Sequence, residues 1–219
     1  MKFAVNKKEG SPRLLICFLG WASGSKTLDG FDIEGYDIVS IYDYRDANLD
    51  DGFLDVINGY KEVSILAWSF GVFVAEQMSH KLPPLTLSLA VNGTPVGASP
   101  KYGIHPRTLE LTIKNLDIDK FYERMCGEDY PIYVPSGRSL DELRDELIFL
   151  YDWFKIGTDV AIEWGGAIIG EKDFIFPYKN MLHYWQENTT FVVLESCPIP
   201  HYPFGRLGVD KIKRFYCGG

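Results

Sequence analysis

The stretch Val63-Ser64-Ile65-Leu66-Ala67-Trp68-Ser69-Phe70-Gly71-Val72 decides how this chain folds. Its first half is a nearly continuous apolar run, as expected for a strand covered on both faces. From Phe70 to Lys81 the pattern changes. Small and apolar residues at Gly71, Val72, Val74, Ala75 and Met78 suit a packed helix, which stops before Pro83-Pro84. A serine stands at the junction, with small residues two before it (Ala67) and two after it (Gly71). A strand running into a helix through A-x-S-x-G is the context of a nucleophile elbow, where a tight turn exposes the serine. A serine that only caps the helix gives the same local pattern.

Working outward, further apolar runs read as buried strands: Leu14–Leu19, Asp37–Tyr42, Leu85–Val91, Ala167–Ile169 and Phe191–Leu194. Met1–Val5 is expected as an edge strand paired through the Lys7–Pro12 turn. Strands alternating with helices imply a mainly parallel α/β sheet. The alternation fails between about Ser99 and Gly157, where Arg107–Asn115, Asp119–Cys126 and Ser139–Phe154 read as helices. Ser139 followed by Glu142 is a capping-box pattern. The expected architecture is an α/β-hydrolase core, residues 1–99 and 158–219, with a helical cap at 100–157.

An elbow predicts its partners in the chain order serine, acid, histidine. Asp173 follows the strand at Ala167–Ile169, and Cys197-Pro-Ile-Pro-His201 brings His201 after the last strand. Asp159 precedes the strand and Glu171 reads as a solvated loop residue, so both are weaker acids for the role. His80 closes the elbow helix, His105 falls in the insertion and His183 on a later helix face; none has the expected position. Ser69 would attack, His201 would carry the proton, and Asp173 would hold the imidazole. The amide of Phe70 is one expected oxyanion donor. That of Trp21, in the loop Gly20-Trp-Ala-Ser-Gly24, is the other.

Composition limits the alternatives. The chain has 219 residues, 46% hydrophobic and 24% charged, which excludes disorder, collagen and coiled coil as its main state. A net charge of -8 argues against sequence-independent nucleic-acid binding. Cys17, Cys126, Cys197 and Cys217 form no CxxC pair and no zinc spacing with histidine, so no metal is expected; the Gly20–Gly24 loop lacks the spacing of a dinucleotide fingerprint, no P-loop lysine pattern occurs, and no cofactor is expected. Reduced thiols suit a cytoplasmic protein. The lysines of the first 13 residues and the apolar run behind them imitate a secretory signal. The run is short and lacks A-x-A, so a buried strand is expected instead.

Leu19-Gly20-Trp21, Ala67 to Val72, Val91-Asn92-Gly93-Thr94, Gly103-Ile-x-Pro106 and Trp164 through Pro177 together resemble the BioG family. Its members are pimeloyl-[acyl-carrier-protein] methyl ester carboxylesterases of biotin synthesis. The resemblance covers nearly the whole chain and carries the family's triad onto Ser69, Asp173 and His201. It implies a methyl-capped pimeloyl chain on acyl carrier protein as substrate and methanol as product. The first loop departs from many members, reading Gly-Trp-Ala-Ser where they carry Gly-Trp-Gly.

Such a substrate needs an apolar channel, and Trp68, Phe121 and Phe149 are candidate lining residues. An acidic carrier needs a basic dock. Lys101–Lys114 is the locally basic part of the insertion, with three bases against Glu110, so docking is expected near Arg107 and Lys114. The same triad would also serve a thioesterase. A non-enzymatic binding protein on the same fold is the third reading.

Overall fold

The computed structural model describes residues 1–49, 52–157, 159–188 and 192–218. Six strands follow one another in parallel: β2 (Arg13–Phe18), β3 (Asp37–Tyr42), β4 (Glu62–Trp68), β5 (Ser88–Val91), β6 (Gly166–Gly170) and β7 (Val193–Cys197). Strand β1 (Lys2–Lys7) completes a seven-stranded sheet ordered β1-β3-β2-β4-β5-β6-β7. The continuous apolar runs are the central strands: Leu14 to Phe18 and Val63 to Trp68 are all buried. The run that imitates a signal is therefore the buried strand β2.

Two strand expectations need correction. Strand β1 pairs antiparallel with β3, Lys2 opposite Tyr42 and Ala4 opposite Ser40, and forms no hairpin with β2. Both sides of β2 are already taken by β3 and β4. The connecting turn is instead gathered by Asp37, whose carboxylate accepts the amides of Glu9 (2.8 Å), Gly10 (3.3 Å) and Ser11 (3.3 Å). The last strand also starts later than its apolar residues suggest, at Val193; Phe191 lies outside the described residues, as do Thr158 and Gly219 at the ends of the expected second core segment. Strand β7 is an edge, so its extent follows the ladder to β6 rather than hydrophobicity: Gly166 faces Val193 and Gly170 faces Cys197.

Helices α1 (Gly52–Ile57), α2 (Phe70–Met78), α6 (Tyr178–Asn188) and α7 (Arg206–Cys217) connect or follow the strands. Helix α7 buries only Gly208, Ile212 and Tyr216, a narrow stripe at four-residue spacing. Between β5 and β6 lie α3 (Pro106–Lys114), α4 (Ile118–Cys126) and α5 (Leu140–Ile156). Each starts at a side-chain cap. His105 Nδ1 accepts the Arg107 amide, Asp117 accepts the Lys120 amide, and Ser139 and Glu142 form a reciprocal capping box. Helix α5 bonds the loop after β2 at Trp21 and Ala22, and α3, α4 and α5 share a cavity with Ser69 just beyond β4, at the strand ends where an open α/β sheet presents its ligand crevice.

Candidate active site

Ser69 sits between β4 and α2 with φ 60° and ψ -127°, in the left-handed half of backbone space. Such a conformation costs an ordinary residue ~1–3 kcal/mol and persists only where neighbours enforce it. Its amide donates to the Val91 carbonyl (2.9 Å), and its carbonyl accepts the Val72 amide (3.1 Å). The small neighbours are needed against other strands. A Cβ on Gly71 would stand 2.2 Å from the Phe18 carbonyl oxygen, and one on Gly93 2.3 Å from the Ser69 oxygen. The Ser69 side chain makes no cap bond to α2.

Ser69 Oγ instead lies 2.9 Å from His201 Nε2, and His201 Nδ1 lies 2.7 Å from Asp173 Oδ2. All three side chains are buried or nearly so. A carboxylate only accepts, so Nδ1 carries the hydrogen and Nε2 is left to accept the serine proton. Asp173 is itself fixed, its Oδ1 accepting the amides of Ile175 and Phe176 at 2.8 Å each. The arrangement can activate a hydroxyl for attack on a carbonyl.

Asn92 is the residue that sequence reasoning named without a role. It is fully buried, at φ 48°, just beyond β5. Its Nδ2 donates to the carbonyls of Pro200 (2.8 Å) and His201 (2.9 Å), and its Oδ1 accepts the Gly170 amide (2.6 Å). One side chain thus joins the histidine loop to the end of the acid's strand. A polar residue directly after a buried strand was the available signal.

Trp21 and Phe70 flank the serine, and neither backbone amide has an acceptor among the described residues. Gly20 allows this approach, since a Cβ there would be 3.1 Å from Ser69 Cβ. Backbone amides without an acceptor, on residues that line a cavity beside a nucleophile, are the kind of donor that can receive a negative oxygen.

In front of Ser69 and His201 opens a cavity of about 500 Å³. Its walls include Trp21, Phe70, Leu109, Phe121 and Leu147, together with Phe174 and Ile175 just after Asp173. Phe121 lies on the wall, edge-on to Trp21 at 4.6 Å between ring centres. Two other lining candidates do not. Trp68 belongs to the buried strand, donates its Nε1 to the His201 carbonyl (2.7 Å) and packs against Tyr202 and Phe204. Phe149 faces outward from α5 and meets Trp153 edge-on at 5.4 Å between ring centres, because the cavity side of that helix is given by Leu147. Arg107 and Lys114 are exposed on α3, whose Thr108, Leu111 and Thr112 border the cavity. Lys120 and Arg124 of α4 stand at its rim, with Lys120 paired to Asp117 at 2.6 Å.

A family model described as pimeloyl-ACP methyl esterase BioG matches residues 1–209. The chain belongs to the BioG family. A crystal structure of BioG from Haemophilus influenzae superposes with a TM-score of 0.78 at 28% identity, over 92% of this chain and 94% of that one. The malonyl-[acyl-carrier protein] O-methyltransferase of Bacteroides fragilis is 33% identical over 184 residues. That match covers 79% of this chain but 36% of the relative, so the chain spans about a third of that protein's length. An esterase from Exiguobacterium antarcticum, 16% identical over 98% of this chain and 94% of that one, shares the fold at a TM-score of 0.70. The fold is that of the α/β-hydrolases.

Against the BioG pattern, the alanine of Gly20-Trp21-Ala22 acquires a physical meaning. Ala22 has φ 66°, a conformation free to glycine and costing alanine ~1–2 kcal/mol. The loop holds it because the Ala22 amide donates to Glu146 (3.2 Å) and its carbonyl accepts from Tyr122 (3.4 Å).

Proposed function

We propose that this BioG-family protein is a serine carboxylesterase. It would hydrolyse the methyl ester of pimeloyl-[acyl-carrier protein] to the free acid and methanol, in biotin synthesis. The observation that carries the chemistry is the chain of contacts from Ser69 through His201 to Asp173, at 2.9 and 2.7 Å. Ser69 Oγ attacks the distal ester carbonyl while His201 Nε2 takes its proton. The oxyanion settles between the amides of Trp21 and Phe70. Collapse expels methoxide, which leaves as methanol with the proton from His201. Water, deprotonated by the same nitrogen, then releases the acid from Ser69.

Support for the substrate comes from three sides. The family is described by this activity. The cavity is apolar where an alkyl chain would lie, through Trp21, Phe121 and Leu147, and burying each methylene is worth ~0.8 kcal/mol. The Bacteroides relative is named for adding a methyl group to a carrier-bound acid, the step that a demethylating esterase would reverse later. The acidic carrier protein would dock on Arg107 and Lys114, beside the rim cations Lys120 and Arg124. A cytoplasmic location goes with a carrier-bound substrate; among the described residues no helix is long and apolar enough to cross a membrane.

The test is intact-mass spectrometry of methyl-pimeloyl-acyl carrier protein incubated with the protein and, separately, with Ser69→Ala. Loss of the methyl alone, absent in the variant, supports the proposal. Loss of the whole acyl chain makes the protein a thioesterase, and an untouched carrier rejects the substrate. For the dock, Arg107→Glu with Lys114→Glu should raise KM for the carrier-bound ester about tenfold and leave a small ester unchanged. Equal loss on both substrates contradicts it.

A further inference from the structure

The loop after β2 is tied to the inserted helix α5 by buried contacts that the triad does not use. The Trp21 indole donates its Nε1 hydrogen to the Leu143 carbonyl at 2.8 Å. The Ala22 amide donates to Glu146 Oε2. Arg138 Nη2 donates to the Ser23 carbonyl (2.9 Å) and to the same Glu146 oxygen (2.7 Å). Glu146 Oε1 accepts the Tyr44 amide at 2.9 Å, and the Tyr44 hydroxyl donates back to the Leu19 carbonyl at 2.7 Å. Glu146 has no exposed surface.

A carboxylate so far from water is tolerable only when charge and hydrogen bonds compensate it. Here each compensating group sits on a segment beside Trp21. The indole of Trp21 and the peptide that follows it are both clamped. What stays unclamped is the Trp21 amide, which has no acceptor among the described residues and belongs to a residue lining the cavity beside Ser69. Ala22 keeps its left-handed backbone only while these partners over-determine it.

We infer that Glu146 is a positioning residue for the oxyanion loop: from α5, and held by Arg138, it sets where the Trp21 amide points. The inference rests on the serine-esterase reading, in which that amide receives the oxyanion. It gives the insertion a part in the chemical step besides substrate contact. An oxyanion donor acts on the transition state more than on the ground-state carbonyl, so its misplacement lowers kcat and spares KM.

The experiment uses the full-length protein, Glu146→Gln and Trp21→Phe, with active sites titrated by a fluorophosphonate. Glu146→Gln replaces one accepting oxygen by a donor and removes the charge opposite Arg138. Trp21→Phe removes the bond to Leu143 and keeps the amide, so it stands in should Glu146→Gln fail to fold. Both should lose about 10- to 100-fold in kcat per titrated site, and for Glu146→Gln, which does not line the cavity, KM for the same ester should change less than about twofold. Affinity for a trifluoromethyl ketone, whose adduct carries an oxyanion, should fall by the same factor as kcat. A purely structural role would lower the melting temperature and the titratable fraction and leave kcat per site unchanged; that result overturns the inference. Wild-type protein that is neither labelled at Ser69 nor active on esters overturns the esterase reading itself.

Discussion

The carboxyl edge of the sheet and the inserted helices face each other across one cavity, but they hold their side chains by opposite means. At the edge, the ends of parallel strands do most of the work. Ser69, Asp173 and His201 each follow a parallel strand, and their loops are locked by main-chain partners of Asn92 and Trp68. In the insertion, side chains do it. Arg138, Glu146 and the rings of Phe121 and Tyr122 fix α4 and α5 against the loop after β2. The edge therefore supplies a geometry that strand order already dictates. The insertion supplies walls and charge that depend on individual residues.

The largest effect should come from breaking the edge. Asp173→Asn keeps the shape and its turn but offers His201 Nδ1 an amide, favouring the wrong tautomer. Steady-state kinetics should show kcat lower by ~10⁴-fold with little change in KM. A loss below tenfold would move the acid's role elsewhere. Asn92→Asp is gentler. It keeps the acceptor for Gly170 and turns the other atom against the Pro200 and His201 carbonyls. A fall of about 10- to 100-fold in kcat, with a lower melting temperature, is expected from an unpaired buried polar group worth ~1–3 kcal/mol.

The smallest effect concerns the charges between the end of β3 and the insertion. Asp43 is buried among Arg45, Arg138 and Lys2. Although burial pushes its carboxyl up, these cations hold it down to about 2. A carboxyl depressed in the folded state stabilises above the unfolded value of ~3.9, and that share is lost as pH falls toward 2. The share is about 2 kcal/mol. Urea midpoints at pH 6 and pH 2.5 should therefore differ less for Asp43→Asn than for the unsubstituted chain. Identical differences would remove Asp43 from the coupling between β3 and the insertion.

The legibility of the two regions differs for the same reason. Strand, tight turn and helix leave a local pattern, so the elbow, the parallel strands and the chain order of Ser69, Asp173 and His201 could be read directly from residues 63–72, 167–173 and 191–201. The pairing of β1 was not legible, because it depends on Asp37 gathering a distant turn. Nor were the cavity walls. Trp68 and Phe149 are as aromatic as Phe121, and only the facing of their strand and helix separates them. The Glu146 site was hidden further, since a buried glutamate on α5 looks like any other acid on a charged helix until Arg138, Tyr44 and Ala22 surround it.

The proposed esterase depends on activation of Ser69 by His201 and Asp173, all three held at the sheet edge. Fluorophosphonate labelling with peptide mapping tests it most directly, on the unsubstituted protein and on His201→Ala. A single adduct on Ser69 is expected, formed at least about 100-fold more slowly without His201. Labelling at another residue, or at Ser69 with an unchanged rate in His201→Ala, would contradict it.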